Sequence, residues 1–294
     1  MRFISTGHYV PKIKVNNEDL SEKSDWIQNK IGIRTRYKAE EGQTTADLAV
    51  QAGLSAFENA WDEVNPEDID LIIGVTSSPD VTAPSMACIV QGQLGLVNAH
   101  AFDLGAVCTG FVYALNVAHS MLHKYKTIMI VAAERYSNII DYQRRDNFFF
   151  GDGAGAIIIT DTDEPTLFMH HMYSHGEFKD LFVTREKFEM DAKGVYDYAI
   201  KHVTESLQRF DTERARWIIP HQPNISLLSE IAKICGIPLT KFLMNLEEYG
   251  NIAGATIPAT LSRHRSSISN GDVIILTAVG AGMTGGTIMM EFRS

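Results

Sequence analysis

The sequence predicts a layered α/β protein, and three observations carry that prediction. Strand-like apolar stretches alternate with helical periodicities along most of the 294 residues. Some of the strand-like stretches carry an unbroken apolar run without alternation, as in DLIIGVTSS (70–78), TIMIVAAE (127–134) and DVIILTAVG (272–280). That is the pattern of strands buried on both faces. Glycine, proline and acidic turns separate these elements.

In chain order, MRFISTGHYVPKIKV (1–15) opens the fold with strand character. TTADLAVQAGLSAFENAW (44–61) has helical spacing, with threonines suited to its N-terminus. The strand DLIIGVTSS is followed by PSMACIVQGQLG (84–95), a helix with proline in its first turn and a glycine stop. Next come strand AHAFDL (99–104), the helical CTGFVYALNVAHSML (108–122), strand TIMIVAAE, and GDGAGAIIITDT (151–162), a glycine turn entering a strand. After DTDEP (161–165) a comparable order begins again. Strand TLFMHHMY (166–173), helix AKGVYDYAIKHVTESLQRF (192–210), strand RWIIP (216–220), helices NISLLSEIAKICG (224–236) and GATIPATLSRH (254–264), and strands DVIILTAVG and GGTIMMEF (285–292) complete it. Two similar halves are therefore expected, 1–163 and 164–294.

Composition narrows the function. Hydrophobic residues at 45% and charged residues at 21% are ordinary for a globular chain, and no apolar run approaches a membrane span. The first residues lack the long apolar core of a secretory signal, so a cytoplasmic protein is expected. Cys88, Cys108 and Cys235 lie far apart with no CxxC pair, which argues against a disulfide framework or a structural zinc site. A net charge of −10 argues against general nucleic-acid binding. Local basic groups remain: NKIGIRTRYK (29–38) holds Lys30, Arg34, Arg36 and Lys38 with no acidic residue, and Arg144–Arg145 and Arg214/Arg216 are smaller clusters. They suit a cofactor or carrier bearing phosphates, or are simply solvated charge.

Three short motifs carry candidate chemistry. In FDLGAVCTGF (102–111), Cys108 stands between small residues at the mouth of a helix, where the dipole favours thiolate and a backbone N–H can serve as an oxyanion donor. In WIIPHQPN (217–224), a buried-type strand delivers His221 at its C-terminal end, where α/β sheets tend to bind ligands. In YGNIAGATIPATL (249–261), Asn251 follows a glycine and precedes small residues entering a helix. Taken singly, each has a plain structural reading: a small buried hydrophobe, a core or capping histidine, a turn asparagine. Cys88 and Cys235, within or ending apolar helices, keep that plain reading as buried hydrophobes.

Together the motifs resemble the β-ketoacyl-acyl-carrier-protein synthase III branch of the thiolase superfamily. SDWIQNKIGIRTR, FDLGAVCTGFVYAL, FFFGDGAGAIII, IIPHQPN, YGNIAGATIP and GAGMTGGTIMMEF occur in family order over nearly the whole chain. The resemblance implies a thiolase fold, five layers αβαβα built from two similar halves. It implies that Cys108 takes an acyl group from coenzyme A, and that His221 and Asn251 hold a malonyl-type thioester while it loses CO₂. The amides of Cys108 and Ala281 would form an oxyanion hole, Ala281 being tolerable if its φ is negative. Trp26, Lys30, Arg144 and Asn224 match positions that meet coenzyme A in relatives. No metal or redox cofactor is implied. The partners implied are an acyl-CoA, a malonyl thioester on coenzyme A or acyl carrier protein, and a second copy in a homodimer.

The chain also departs from the pattern. It is short between GDGAGA and His221, a region that shapes the acyl tunnel in relatives. Ala83 replaces a bulkier residue that in some relatives caps the partner subunit's acyl pocket, and Gly285 stands where a tryptophan can occur. Both changes predict room for acyl groups longer than acetyl. Ser226 occupies a position often held by a carrier-binding arginine. Two alternatives stay open: transfer of the Cys108 acyl group to an amine or hydroxyl, and a non-catalytic partner of a condensing heterodimer. GDGAG precedes a strand, so it is no dinucleotide fingerprint. HHMYSH (170–175) has metal-binding residue types without a convincing ligand set, and His119 and His123 are expected to pack or face solvent.

Overall fold

The computed structural model describes residues 1–20, 24–140, 148–184 and 188–294. Strand β1 (Arg2–Tyr9) leads to the hairpin β2 (Ile13–Asn16) and β3 (Thr35–Lys38). Between them lies α1 (Ser24–Trp26), which continues as a π-helical turn, Ile27–Ile31. Helix α2 (Thr45–Glu58), β4 (Leu71–Val75), α3 (Met86–Gln93), β5 (His100–Asp103), α4 (Gly110–Met121), β6 (Thr127–Arg135) and β7 (Asp152–Thr160) follow. Next are β8 (Phe168–Ser174), the hairpin β9 (Phe182–Thr184) and β10 (Phe188–Met190), α5 (Ala192–Leu207), β11 (Trp217–Pro220) and α6 (Ile225–Ile234). Helices α7 (Leu246–Tyr249) and α8 (Thr256–Arg263) and strands β12 (Val273–Gly280) and β13 (Thr284–Glu291) end the fold.

Local chemistry accounts for the helix starts. Thr44 and Asp47 form a reciprocal capping box on α2, and Ser85 caps α3 through the Cys88 N–H. Asp191 and Asn224 cap α5 and α6 in the same way.

The strands form two main sheets. The first has the order β1-β7-β6-β4-β5, with β6, β4 and β5 parallel and β1 and β7 antiparallel to their neighbours. The second has the order β8-β13-β12-β11, with β11 and β12 parallel, and Phe242 continues it as an isolated parallel bridge to Ile218 on β11.

Helices α4 and α8 lie between the sheets, α2 and α3 cover the outer face of the first, and α5 and α6 cover the second. Five layers result, αβαβα. The strand alternation shows why. On β6, Ile128, Ile130 and Ala132 face the central core while Met129, Val131 and Ala133 face α2 and α3. A strand buried on both sides must be apolar along its buried length, which is why TIMIVAAE carries no polar residue between Thr127 and Glu134. Leu115 on α4 is fully buried in the middle layer, where truncation to alanine typically costs about 2–5 kcal/mol.

Candidate active site

Three chain corners converge on one cavity of ~230 Å³. Cys108 sits in a short 3-10 turn, Val107–Thr109, that runs into α4. His221 follows β11, its N–H donating to Thr277 O at 2.8 Å. Asn251 leaves α7, its backbone pairing with Phe149 O at 2.7 Å and Gly151 N at 3.0 Å. All three side chains line the cavity and are buried. Its remaining wall is mostly apolar, with Phe149, Phe150, Phe182, Met190, Val195 and Leu227 prominent.

Close backbone approach locks the corners together. A Cβ on Gly280 would lie 2.8 Å from Thr109 Oγ1 and 3.0 Å from Thr109 N, so only glycine lets the loop after β12 touch the Cys108 turn. A Cβ on Gly254 would meet Val107 O at 3.0 Å and Glu134 Oε1 at 3.1 Å, which seats the Asn251 loop on the other side. Thr109 Oγ1 also donates to Thr284 O at 3.1 Å. Three non-glycine residues with positive φ flank the site: Val107 (48°), Ala253 (41°) and Met283 (49°). A β-branched residue such as valine is rarely held in this region, and such strain gathers where packing over-determines a functional turn. Ala281 is not among the positive-φ residues; the next residue, Gly282, takes φ 72°.

The electrostatics differ from the expected thiolate. Burial pushes the Cys108 thiol above its ordinary range, the buried Glu134 pushes it the same way, and its own backbone N–H opposes them only in part. The helix proper starts at Gly110, so its positive end does not outweigh desolvation and a neighbouring acid. Burial also pulls His221 down to about 4 against the Ala253 backbone, leaving a neutral ring whose Nδ1 has no hydrogen-bond partner among the described residues.

Glu134 was not singled out from the sequence. Fully buried at the end of β6, it accepts from Ser78 Oγ at 2.6 Å, Ser77 Oγ at 2.9 Å, Ser77 N at 3.1 Å and Gly254 N at 3.3 Å. Burial raises it to about 7 despite these donors. A lone acid ending an apolar strand was the available signal.

The other anticipated residues are more scattered. Trp26 is half exposed and, like the exposed Lys30, does not line the cavity. Their segment packs on the start of α6, where Ser226 Oγ donates to Lys30 O at 2.5 Å. Asn224 does line the cavity, with its Oδ1 occupied in capping Leu227 N at 2.8 Å. Arg144 lies outside the described residues. Ala83 is exposed on the loop ahead of α3 and does not line its own chain's cavity. Arg36, read as part of a basic group, is a core residue instead, donating to Asn17 Oδ1 at 2.8 Å and Phe148 O at 2.6 Å.

Two further expectations are corrected. Gly285 opens no space, because the Tyr173 ring lies 2.1–2.4 Å from where its Cβ would be. Cys88 is exposed on α3 because it points away from the face that Ala87 and Val90 bury. His119 packs flat on Phe168 with ring centroids 3.7 Å apart, and GDGAG lies at the entrance to β7. Among the described residues no group of His, Cys, Asp or Glu could hold a metal ion.

A cysteine, a neutral histidine and an asparagine in one mostly apolar cavity, on a five-layered fold of thiolase type, fit a thioester-handling acyltransferase of the condensing class. Residues 102–176 match the family model for 3-oxoacyl-(acyl-carrier-protein) synthase III, and residues 207–292 match the model for its C-terminal region. The chain is 36% identical to the beta-ketoacyl-(acyl-carrier-protein) synthase III of Clostridium acetobutylicum, over 99% of this chain and 98% of that one. Among solved structures, 3-oxoacyl-(acyl-carrier-protein) synthase III from Aquifex aeolicus superposes with a TM-score of 0.94 at 32% identity, covering 99% of both chains. The priming β-ketosynthase of the R1128 polyketide pathway superposes at 0.93 with 26% identity, covering 100% of this chain and 96% of that one. The chain belongs to the 3-oxoacyl-(acyl-carrier-protein) synthase III family.

Proposed function

We propose that the chain loads an acyl group from an acyl-CoA onto Cys108 and condenses it with a malonyl thioester, in fatty acid or specialised-metabolite biosynthesis. The observation that carries this reading is the convergence of Cys108, His221 and Asn251 on a single apolar cavity. In the first half-reaction Cys108 Sγ attacks the thioester carbonyl while its proton passes to the departing CoA sulfur. A neutral thiol enters and a neutral thiol leaves, which suits a cysteine held protonated at rest. The N–H groups of Cys108 and Ala281 receive the transient oxyanion.

In the second half-reaction the malonyl C–C bond breaks and CO₂ departs. The electron pair forms an enolate, whose oxygen accepts from His221 and the Asn251 amide. Two neutral donors stabilise the developing charge, and the cavity's apolar lining strengthens both bonds. The enolate carbon then attacks the acyl-Cys108 carbonyl. The β-ketoacyl thioester forms, and the released thiolate is reprotonated. The chemistry as written needs no metal or redox group.

Around this centre, the reading assigns Trp26, Lys30, Arg144 and Asn224 to coenzyme A, and Ala83 to the pocket of a second copy. A homodimer fits the edge of β5 that is unpaired among the described residues, with Phe102 on the strand and Val97 ahead of it exposed. The three cysteines are free, which fits a cytoplasmic setting, and no described helix is long and apolar enough to cross a membrane. The division into 1–163 and 164–294 is likewise proposed, on the parallel strand order of the two sheets.

Intact-protein mass after mixing with acyl-CoA thioesters from acetyl to octanoyl, beside Cys108→Ala, tests the first step. An adduct absent from the mutant, followed by CO₂ release on adding malonyl thioester, is expected. An adduct without CO₂ release points to a non-malonyl acceptor, and no adduct from any thioester points to a non-catalytic partner.

A further inference from the structure

The cluster of histidines and tyrosines around β8 and α5 lies outside the catalytic trio, yet it holds one wall of it. Tyr198 on α5 is 6% exposed, and its hydroxyl donates to Met283 O at 2.8 Å. The same carbonyl accepts the backbone N–H of His175 at 3.1 Å, a bond that any residue but proline keeps at 175, so the His175 ring acts on it only through Tyr198. His175 Nδ1 lies 2.6 Å from the Tyr198 hydroxyl. Because the hydroxyl hydrogen is committed to Met283, the hydroxyl oxygen accepts from His175, which assigns the proton to Nδ1. The His202 ring backs both, with centroids 4.2 Å from Tyr198 and 4.6 Å from His175, and its Nδ1 lies 3.2 Å from Glu205.

The carbonyl so held belongs to a residue under backbone constraint. Met283 is buried, keeps φ 49° and follows Gly282 at φ 72°. The turn Ala281–Met283 joins β12 to β13 and lines the cavity beside the Cys108 turn. Without an anchor on Met283 O, nothing in its intrinsic preferences keeps the turn in this conformation.

We propose that Tyr198 and His175 are positioning residues for acyl transfer, holding the Met283 carbonyl so that the Ala281 N–H stays aimed at the thioester oxygen. This rests on the oxyanion role read for Ala281 above. It also gives the HHMYSH segment a role: it supplies one leg of the anchor, not a metal site.

The test is single-turnover acylation of Cys108 by an acyl-CoA that labels wild type, followed by intact mass over a range of concentrations. Tyr198→Phe and His175→Ala are expected to slow the saturated rate about 10- to 100-fold, with the half-saturating concentration within about twofold. His175→Asn, whose amide nitrogen stands in for Nδ1, is expected to recover to within about threefold of wild type. Melting curves accompany each variant; if Tyr198→Phe fails to fold, the His175 pair decides. Wild type that acylates while the folded variants match its rate overturns the anchor and leaves the condensing reading intact. An equal loss in His175→Asn and His175→Ala also overturns it. Wild type that accepts no acyl group overturns the condensing reading, and the anchor with it.

Discussion

The Ala253 N–H donates to Asn251 Oδ1 at 2.9 Å, so the amide oxygen is spoken for and the NH₂ group is left as the donor. An asparagine on a turn can present either end. Here one backbone bond decides which.

Asn251→Asp keeps the bond to Ala253 but turns the remaining donor into an acceptor facing the enolate. Malonyl decarboxylation should fall by about 10²–10³-fold, the cost of losing one oxyanion donor, while acylation of Cys108 persists. CO₂ release and intact mass, measured on the same sample, separate the two.

Cys108 should behave as a protonated thiol in the free enzyme. Alkylation by iodoacetamide is expected to rise with pH without levelling even at about pH 10, where an unperturbed thiol titrating near about 8.5 is almost fully ionised. Glu134→Gln should speed it, since one charge that opposes the thiolate is removed. A plateau near neutral pH in wild type would show a stabilised thiolate instead. Exposed Cys88 needs prior replacement by serine.

His221 is lowered to about 4 by burial, so the unfolded chain takes up a proton between about 6.5 and 4 that the folded chain refuses. Its contribution therefore favours folding above pH 6.5 and fades as pH falls through that window, by up to about 3 kcal/mol. An NMR titration should show the His221 ring neutral at pH 5.5. Half-protonation near 6.5 would contradict the reading.

Glu134 has the opposite sign. Folded at about 7 against an ordinary value near 4.5, it stays protonated where the unfolded chain has ionised, so stability falls as pH rises from about 4.5 to 7. Urea unfolding of wild type and Glu134→Gln at pH 5 and 8 isolates this from His221. The gap between the two proteins should move in favour of the glutamine variant by about 2–3 kcal/mol at the higher pH.

The cavity wall should set chain length. Val195 and Phe182 pack in the same apolar cluster as Cys108. Val195→Phe is expected to abolish labelling by octanoyl-CoA while sparing acetyl-CoA, read as adduct mass. Equal loss of both would place Val195 on the entry path instead.

Much of this molecule was legible in one dimension. The unbroken apolar runs within TIMIVAAE and DVIILTAVG predict strands covered on both faces, because a strand buried on each side has little place for polar residues. Small residues around Cys108 and Asn251 mark backbone corners that must approach their neighbours, and Gly254 and Gly280 do make that approach. Those features are local or pairwise, so the sequence by itself determined the layered α/β architecture and brought Cys108, His221 and Asn251 forward as the candidates for the chemistry.

What tertiary structure decided is what depends on many neighbours at once. The thiol's protonation reflects desolvation and Glu134, more than twenty positions along the chain, and a helix-terminus argument from sequence takes the wrong sign. The room implied by Gly285 is filled by Tyr173 from the adjacent strand β8, and Arg36 leaves its apparent surface cluster for Asn17 and the Phe148 carbonyl. The anchor on Met283 joins Tyr198 and His175 across 85 and 108 positions. Burial, occupied volume and long-range hydrogen bonds are sums over the packed fold, and no spacing along the chain encodes them.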